Sequence, residues 1–293
     1  MDHSIIREAP PTEEKPQITK IPPKAQETEN TAPKEVPTAE ENTFVPTKPN
    51  PEDEWLPVLL EVIKSSKIDE ILDTVQETVT NMVADSKFTL ISSSSDPLEL
   101  YFQIGDHETL NDKFHKFIST YQTAYDPKYF VLRNCLLTQE ERTKSNGNIA
   151  RYYTPIRRKI GDTYYMLNQV QFKKVLSMTP KESVCIKAVR VLANGDCVEH
   201  NVSFSHERFP NDPSQYERFE VLANPIYYKK TETGLQTKSF NYVIPKSKMP
   251  MMLLKGIMNK SYNDTFRAIS EILKTKPNTP EALGEMEQAF VSS

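Results

Sequence analysis

The chain has 293 residues, 37% of them hydrophobic and 26% charged, with a formal net charge of −4. That acidic balance argues against a generic nucleic-acid binder, which shows a basic face or stripe. Three cysteines, Cys135, Cys185 and Cys197, are few and odd in number, so a disulfide framework is not expected.

Residues 1–50 hold nine of the 22 prolines, no glycine and one aromatic, Phe44. Such a segment buries too little apolar surface to offset its ordering entropy and reads as a disordered tail. The opening "MDHSIIREAPP" has no apolar leader core, and no run approaches 18 apolar residues. A cytoplasmic protein with no membrane span follows as the expectation.

From Trp55 onward, core-forming residues appear at ordinary density, and residues 51–275 form the expected domain. Pro51–Asp85 has helical period, with Leu56, Leu59, Leu60 and Ile63 on one stripe and Ile68, Ile71, Leu72, Val75 and Val79 on another. A break is expected at Ser65-Ser66. Lys87–Ser92 and Leu98–Gln103 read as two short strands about a Ser/Asp/Pro turn. Asp106–Tyr125 returns to helical spacing through Leu110, Phe114, Phe117, Ile118 and Tyr121. The next hundred residues read as strands, beginning with "KYFVLRNCLLTQ" and punctuated by Asn146-Gly147, Gly161-Asp162, Asn194-Gly195 and Thr233-Gly234. Consecutive strands with tight turns predict an antiparallel sheet. A long helix is expected from Met249 to about Leu273, with Pro250 in its first turn. Residues 276–293 read as a flexible or short helical tail. The whole is an α+β arrangement.

Signals for chemistry are sparse. No CxxC, HxxxH or GxSxG spacing occurs, and the seven glycines are scattered singly, so no phosphate cradle is supported. His200 and His206 stand about 20 Å apart by strand rise, too far to share a metal. Cys185 and Cys197 flank one hairpin and are candidates to face each other. Glu140-Glu141 reads as a solvated loop rather than an acid/base pair. "RYYTPIRRKIGDTYY" interleaves basic and aromatic residues; RNA contact is outweighed by an edge strand that carries its charges for solubility. No catalytic residue, metal ligand or cofactor is expected. Four of the nine methionines, Met249, Met251, Met252 and Met258, cluster in the long C-terminal helix. Methionine fills gaps in cores, and it also suits a surface that adapts to a flexible apolar ligand.

From about Trp55 to Leu273 the sequence resembles a START domain, the steroidogenic acute regulatory protein-related lipid-transfer domain. The resemblance lies in "TYYMLNQVQFKKVLSMTPKESVCIKAVRVLANGDCVEHNVSFSH", with its strand, loop and Gly-containing hairpin, and in "SFNYVIPKSKMPMMLLKGIMNKS", with its strand, proline-marked bend and helix. Lys181-Glu182 stands where the family has Arg-Asp, and Lys246-Ser247-Lys248 replaces the usual glycine of the bend. The resemblance implies a helix-grip fold, a curved antiparallel sheet wrapped around the C-terminal helix, with a tunnel for one lipid. It implies a monomer that contacts membranes transiently through Lys246, Lys248 and Lys255 and transfers or senses a sterol, phospholipid or sphingolipid. The helix would be wall and lid, with Met251, Leu254 and Met258 facing the ligand, and Tyr242, Ile244 and Ile186 opposite them. Arg190 or Lys187 would supply a headgroup charge, although the reading of both as surface residues is preferred, since Lys and Arg are seldom fully buried. The competing reading is a protein-interaction adaptor that uses the tail as a ligand.

Overall fold

Three glycine-bearing turns fold the middle of the chain into antiparallel hairpins, and these hairpins build most of one sheet. The computed structural model describes residues 54–83, 87–106, 113–174, 179–245, 251–275 and 278–291. The tail 1–50, together with Lys246, Ser247, Lys248, Met249 and Pro250, lies outside them. In order the elements are α1 (Leu56–Ser66), α2 (Ile68–Leu72), α3 (Val75–Val83), β1 (Thr89–Leu90), β2 (Glu99–Asp106), β3 (Lys113–Thr123), α4 (Pro127–Cys135), α5 (Gln139–Ser145), β4 (Ile149–Ile160), β5 (Thr163–Phe172), β6 (Lys181–Val191), β7 (Cys197–Ser203), β8 (Glu217–Arg218), β9 (Glu220–Thr231), β10 (Gly234–Ile244), α6 (Met251–Leu273) and α7 (Pro280–Val291). Strand order is β1-β2-β3-β10-β9-β7-β6-β5-β4, antiparallel throughout, with β8 added in parallel to β6.

The N-terminal helical stretch is three helices rather than two. Lys67 takes the left-handed conformation (φ 52°) that ends α1. Ser65 and Ser66 return their hydroxyls to the carbonyls of Val62 and Ile63, within the last turn. Their apolar side packs on one face of the sheet, against Ile156, Leu167, Val184, Ile186, Ala188 and Val198.

Two expectations are overturned. Residues 113–123 form strand β3, paired with β2 on one side and β10 on the other, and not a helix. His115, Phe117, Ser119 and Tyr121 point to one face and Phe114, Lys116 and Ile118 to the other. Both faces are covered, so aromatic and aliphatic residues on both sides mimic helical spacing. Conversely, "KYFVLRNCLLTQ" is helical. Asp126 caps α4 by accepting from the amides of Lys128 (2.9 Å) and Tyr129 (3.3 Å), with Pro127 in the first turn. Thr138 and Glu141 form a capping box that starts α5, so Glu141 is a structural cap; it also pairs with Arg133. Asn146-Gly147 therefore joins a helix to β4 and is not a hairpin turn. The α4–α5 pair carries the chain across to the far edge of the sheet, which β4 closes.

The hairpins sit where expected. Between β6 and β7, Gly195 adopts φ +84°, and Asp196 accepts from the Tyr227 hydroxyl (2.6 Å) and the Lys230 amide (2.7 Å), binding that turn to β9. Cys185 lies opposite Ser203 and Cys197 opposite Val191, so the two thiols do not face each other. Gly234 (φ +146°) opens β10, and a Cβ there would lie 2.1 Å from the carbonyl oxygen of Thr123. Gly234→Ala is expected to destabilise the fold by more than about 1 kcal/mol. A melting experiment should show this as a Tm drop of at least ~3 °C; an unchanged Tm would contradict the close approach of β3.

The second face of the sheet receives α6, α4 and α7. Phe290 of α7 is fully buried and meets the Tyr164 ring edge-on at 5.0 Å. Glu287 accepts from the Tyr164 hydroxyl and pairs with Lys128, each at 2.7 Å. The final segment is thus a helix packed into the core around Tyr129, Leu132 and Leu273.

Candidate functional site

Alternation decides what β10 presents to α6. Thr237, Ser239, Asn241 and Val243 project toward the helix, while Phe240, Tyr242 and Ile244 project to the opposite face. Beside them stand His115, Phe117, Ser119 and Tyr121 of β3, Asn224, Ile226 and Tyr228 of β9, and Glu199 of β7. From α6 come Leu254, Ile257, Met258, Ser261, Tyr262, Thr265, Phe266 and Ile269, spaced three or four apart so that they share one side of the helix. Sheet and helix do not close completely on each other. They enclose a cavity of about 540 Å³, within the usual size range of ligand pockets. The lining reaches the surface at Lys173 and Thr179, between β5 and β6, where both residues are exposed.

The walls are apolar with a few polar groups in fixed places. Tyr121 packs on Phe266 (4.6 Å between rings), and Phe117 packs on Tyr262 (5.7 Å). Ser119 and Ser239 hydrogen-bond to each other at 2.6 Å. Asn241 donates from Nδ2 to the Tyr262 hydroxyl at 3.1 Å. Burial pushes the phenols of Tyr121 and Tyr262 upward, so both stay protonated.

One ion pair is buried here. Lys187, 8% exposed, places Nζ 2.7 Å from Oε1 of Glu199, itself 2% exposed. Glu199 also accepts from Asn201 Nδ2 (2.8 Å) and the Tyr228 hydroxyl (3.0 Å). Burial drives the Glu199 carboxyl upward, but the Lys187 charge and these hydrogen bonds outweigh it and hold the group below the usual carboxylate range. For Lys187, burial works downward and the Glu199 charge outweighs it, so the ammonium is held above its ordinary value. The pair is charged at all physiological pH.

Leu254 and Met258 line the cavity, and the side chain of Met251 lies outside the described residues. The other candidates lie elsewhere. Tyr242 stacks edge-on to Phe114 at 5.5 Å, with the Lys116 ammonium 4.9 Å from its ring, on the face away from α6. Ile244 is buried on that same side of β10. Ile186 belongs to the core under α1–α3. Arg190 pairs with Asp69 (3.1 Å) and Asp73 (2.6 Å), tying α2 and its C-terminus to the sheet. In β6 the alternate charge, Lys187, is the one turned toward the α6 side. A slip of one residue inverts every face of a strand, and this inversion affects the choices in both β6 and β10. The polar row Thr237, Ser239 and Asn241 was missed. Its signal is three small polar residues at every second position of "LQTKSFNYV".

No family model and no curated protein matches the chain. Among solved structures it is similar to human StAR-related lipid transfer protein 5, at 12% identity and a TM-score of 0.54, over 72% of this chain and 98% of that one. It is also similar to human STARD10, at 14% identity and a TM-score of 0.52, over 68% of this chain and 79% of that one. At these identities the likeness is one of fold: the chain has a START-like helix-grip fold, an antiparallel sheet against a long C-terminal helix with N-terminal helices on the other face.

Proposed function

We propose that this chain holds one lipid in the cavity between the sheet and α6 and carries it between membranes. The observation that supports this reading most directly is the cavity of about 540 Å³, with Leu254, Met258, Phe266 and Ile269 on its helical wall. Apolar surface removed from water contributes about 25 cal/mol per Å², so a lipid body gains by leaving water for such a wall. The likeness in fold to a protein named for lipid transfer points the same way. In this reading α6 is both wall and lid. Lys246, Lys248 and Lys255, near its N-terminal end, favour an anionic bilayer by up to about 1 kcal/mol each. The protein works as a cytoplasmic monomer, by binding and release rather than by covalent chemistry. No described helix is long and apolar enough to cross a membrane.

Native mass spectrometry of protein purified from cells tests the reading, because a carrier brings one lipid with it. Met258→Asp sets a carboxylate against the lipid body and is expected to lower transfer between vesicles about ten-fold, with circular dichroism unchanged. Full transfer by a folded Met258→Asp protein would remove the cavity from consideration.

A further inference from the structure

The sheet register fixes which connections surround the mouth of the cavity. β5 and β10 end, and β4 and β6 begin, at one end of the sheet, since Ile149 lies opposite Phe172, Gln171 opposite Glu182 and Ile244 opposite Glu220. Asn146, Asn148, Lys173 and Thr179 line the cavity there. The Lys173 amide donates to the Asn148 carbonyl at 2.7 Å, so the α5–β4 turn and the end of β5 form one surface.

That surface is basic. Residues 144–151 hold Lys144 and Arg151, residues 173–181 hold Lys173, Lys174 and Lys181, and neither stretch holds an acid. The whole chain has 40 Asp and Glu against 36 Lys and Arg, so this gathering runs against its composition. Lys181 pairs with Glu217. Lys144, Arg151, Lys173 and Lys174 are exposed and make no ion pair among the described residues. Of the acids that adjoin the two stretches, Glu141 and Glu182 are engaged by Arg133 and Arg218, and Glu140 is exposed. The stretch that follows β10 repeats the bias, with Lys246, Lys248 and Lys255 and no acid from 245 to 255.

Edge strands carry charge for solubility, but solubility is served by both signs interspersed, whereas a field of one sign draws an anionic partner. On β4 the Arg151 guanidinium stands 5.6 Å from the ring of exposed Tyr153. A tyrosine with a cation beside it suits the boundary between water and lipid headgroups. The mouth is also where a held lipid must enter and leave. The partner that fits both the charge and the opening is an anionic bilayer.

We infer that Lys144, Arg151, Lys173 and Lys174 form a docking face that seats the cavity mouth on an anionic bilayer. This rests on the lipid-carrying reading above. The full chain is mixed with vesicles of phosphatidylcholine alone, or with about 30% phosphatidylserine, and bound protein is separated by flotation. The wild type is expected to float with the phosphatidylserine vesicles only. It should come off as salt is raised to about 0.5 M, where screening cuts the reach of exposed charges to a few ångströms. Lys173→Glu with Lys174→Glu is expected to weaken this binding about 20-fold. Lys64→Glu with Lys229→Glu makes the same change in net charge at exposed positions on α1 and at the other end of the sheet. That control is expected to stay within about two-fold of the wild type. Equal losses in the two variants overturn the inference, because they report net charge and not a place. Wild-type binding by a folded Lys173→Glu, Lys174→Glu protein overturns it as well. So does a wild type that floats with neither vesicle and is retained on polyglutamate or an oligonucleotide, since the patch then serves another macromolecule. Native mass spectrometry reads lipid holding separately. A docking failure with one lipid still carried per chain leaves the carrier reading intact, and a wild type that carries no lipid overturns both.

Discussion

Lys187→Met is expected to cost the folded protein about 3–5 kcal/mol, because it leaves Glu199 buried without its counter-charge. Asn201 and Tyr228 still donate to the carboxylate, but neither carries charge. The decisive readout is the pH dependence of the urea midpoint. In the wild type the Glu199 carboxyl is held low, so its contribution is complete above the ordinary carboxylate range and is lost as pH falls through the lower folded value. Without Lys187, burial becomes the dominant influence and lifts the folded value above the unfolded one. The sign then reverses. The variant is least impaired in acid and loses stability as pH rises through the raised value, the opposite trend from the wild type. Lys187→Met combined with Glu199→Leu removes both charges and is expected to recover most of the loss, since well-packed apolar pairs often equal buried ion pairs. A single-variant cost below about 1 kcal/mol would mean that water reaches Glu199 freely and that this end of the cavity is wet.

The same pair shows how far the sequence could be read. The existence of β6 and β7 was legible, because their apolar runs flank an Asn-Gly-Asp turn. Which of Lys187 and Arg190 faced α6 was not, because both sides of β6 are buried and apolar residues stand at even and odd positions alike. β10 hid its faces in the same way, with Phe240 and Ile244 buried on one side and Val243 on the other. Double burial also disguised β3, whose Phe114, Phe117, Ile118 and Tyr121 fall at helical intervals while belonging to two faces. The α4–α5 pair failed for another reason. Tyr129, Phe130, Val131 and Leu132 are all buried, so no periodicity showed, and a run of β-formers outweighed the local start markers. Those markers were present: Asp126-Pro127 before one helix and Thr138-x-x-Glu141 before the next. Where one face meets solvent, the chain is legible. Where an element is buried on every side, only its partners decide.

His200 stands at such a doubly buried position, and it makes the protein acid-sensitive. It is 1% exposed, between Ala188 and Pro225 in the sheet, on the side where α2 and α3 pack across β7. Neither ring nitrogen has a hydrogen-bond partner. Burial is the main cause that lowers its pKa from 6.5 to about 4, against a smaller opposing pull from Glu199. The folded state therefore binds the proton later than the unfolded chain, and stability declines as pH falls from about 6.5 toward 4. At pH 5 the difference amounts to about 2 kcal/mol. The lowered carboxylates lose little above pH 5, and urea midpoints of the wild type and His200→Leu at pH 7.5 and pH 5 separate this ring from the other histidines. His200→Leu removes two unsatisfied nitrogens as well as the titration. It should match or exceed the wild type at pH 7.5, and between the two pH values it should lose about 2 kcal/mol less. Parallel losses in the two proteins would mean that the ring titrates near its ordinary value in the folded state. That requires water between α3 and the sheet, and a face so wetted could not be the dry core on which the N-terminal helices depend.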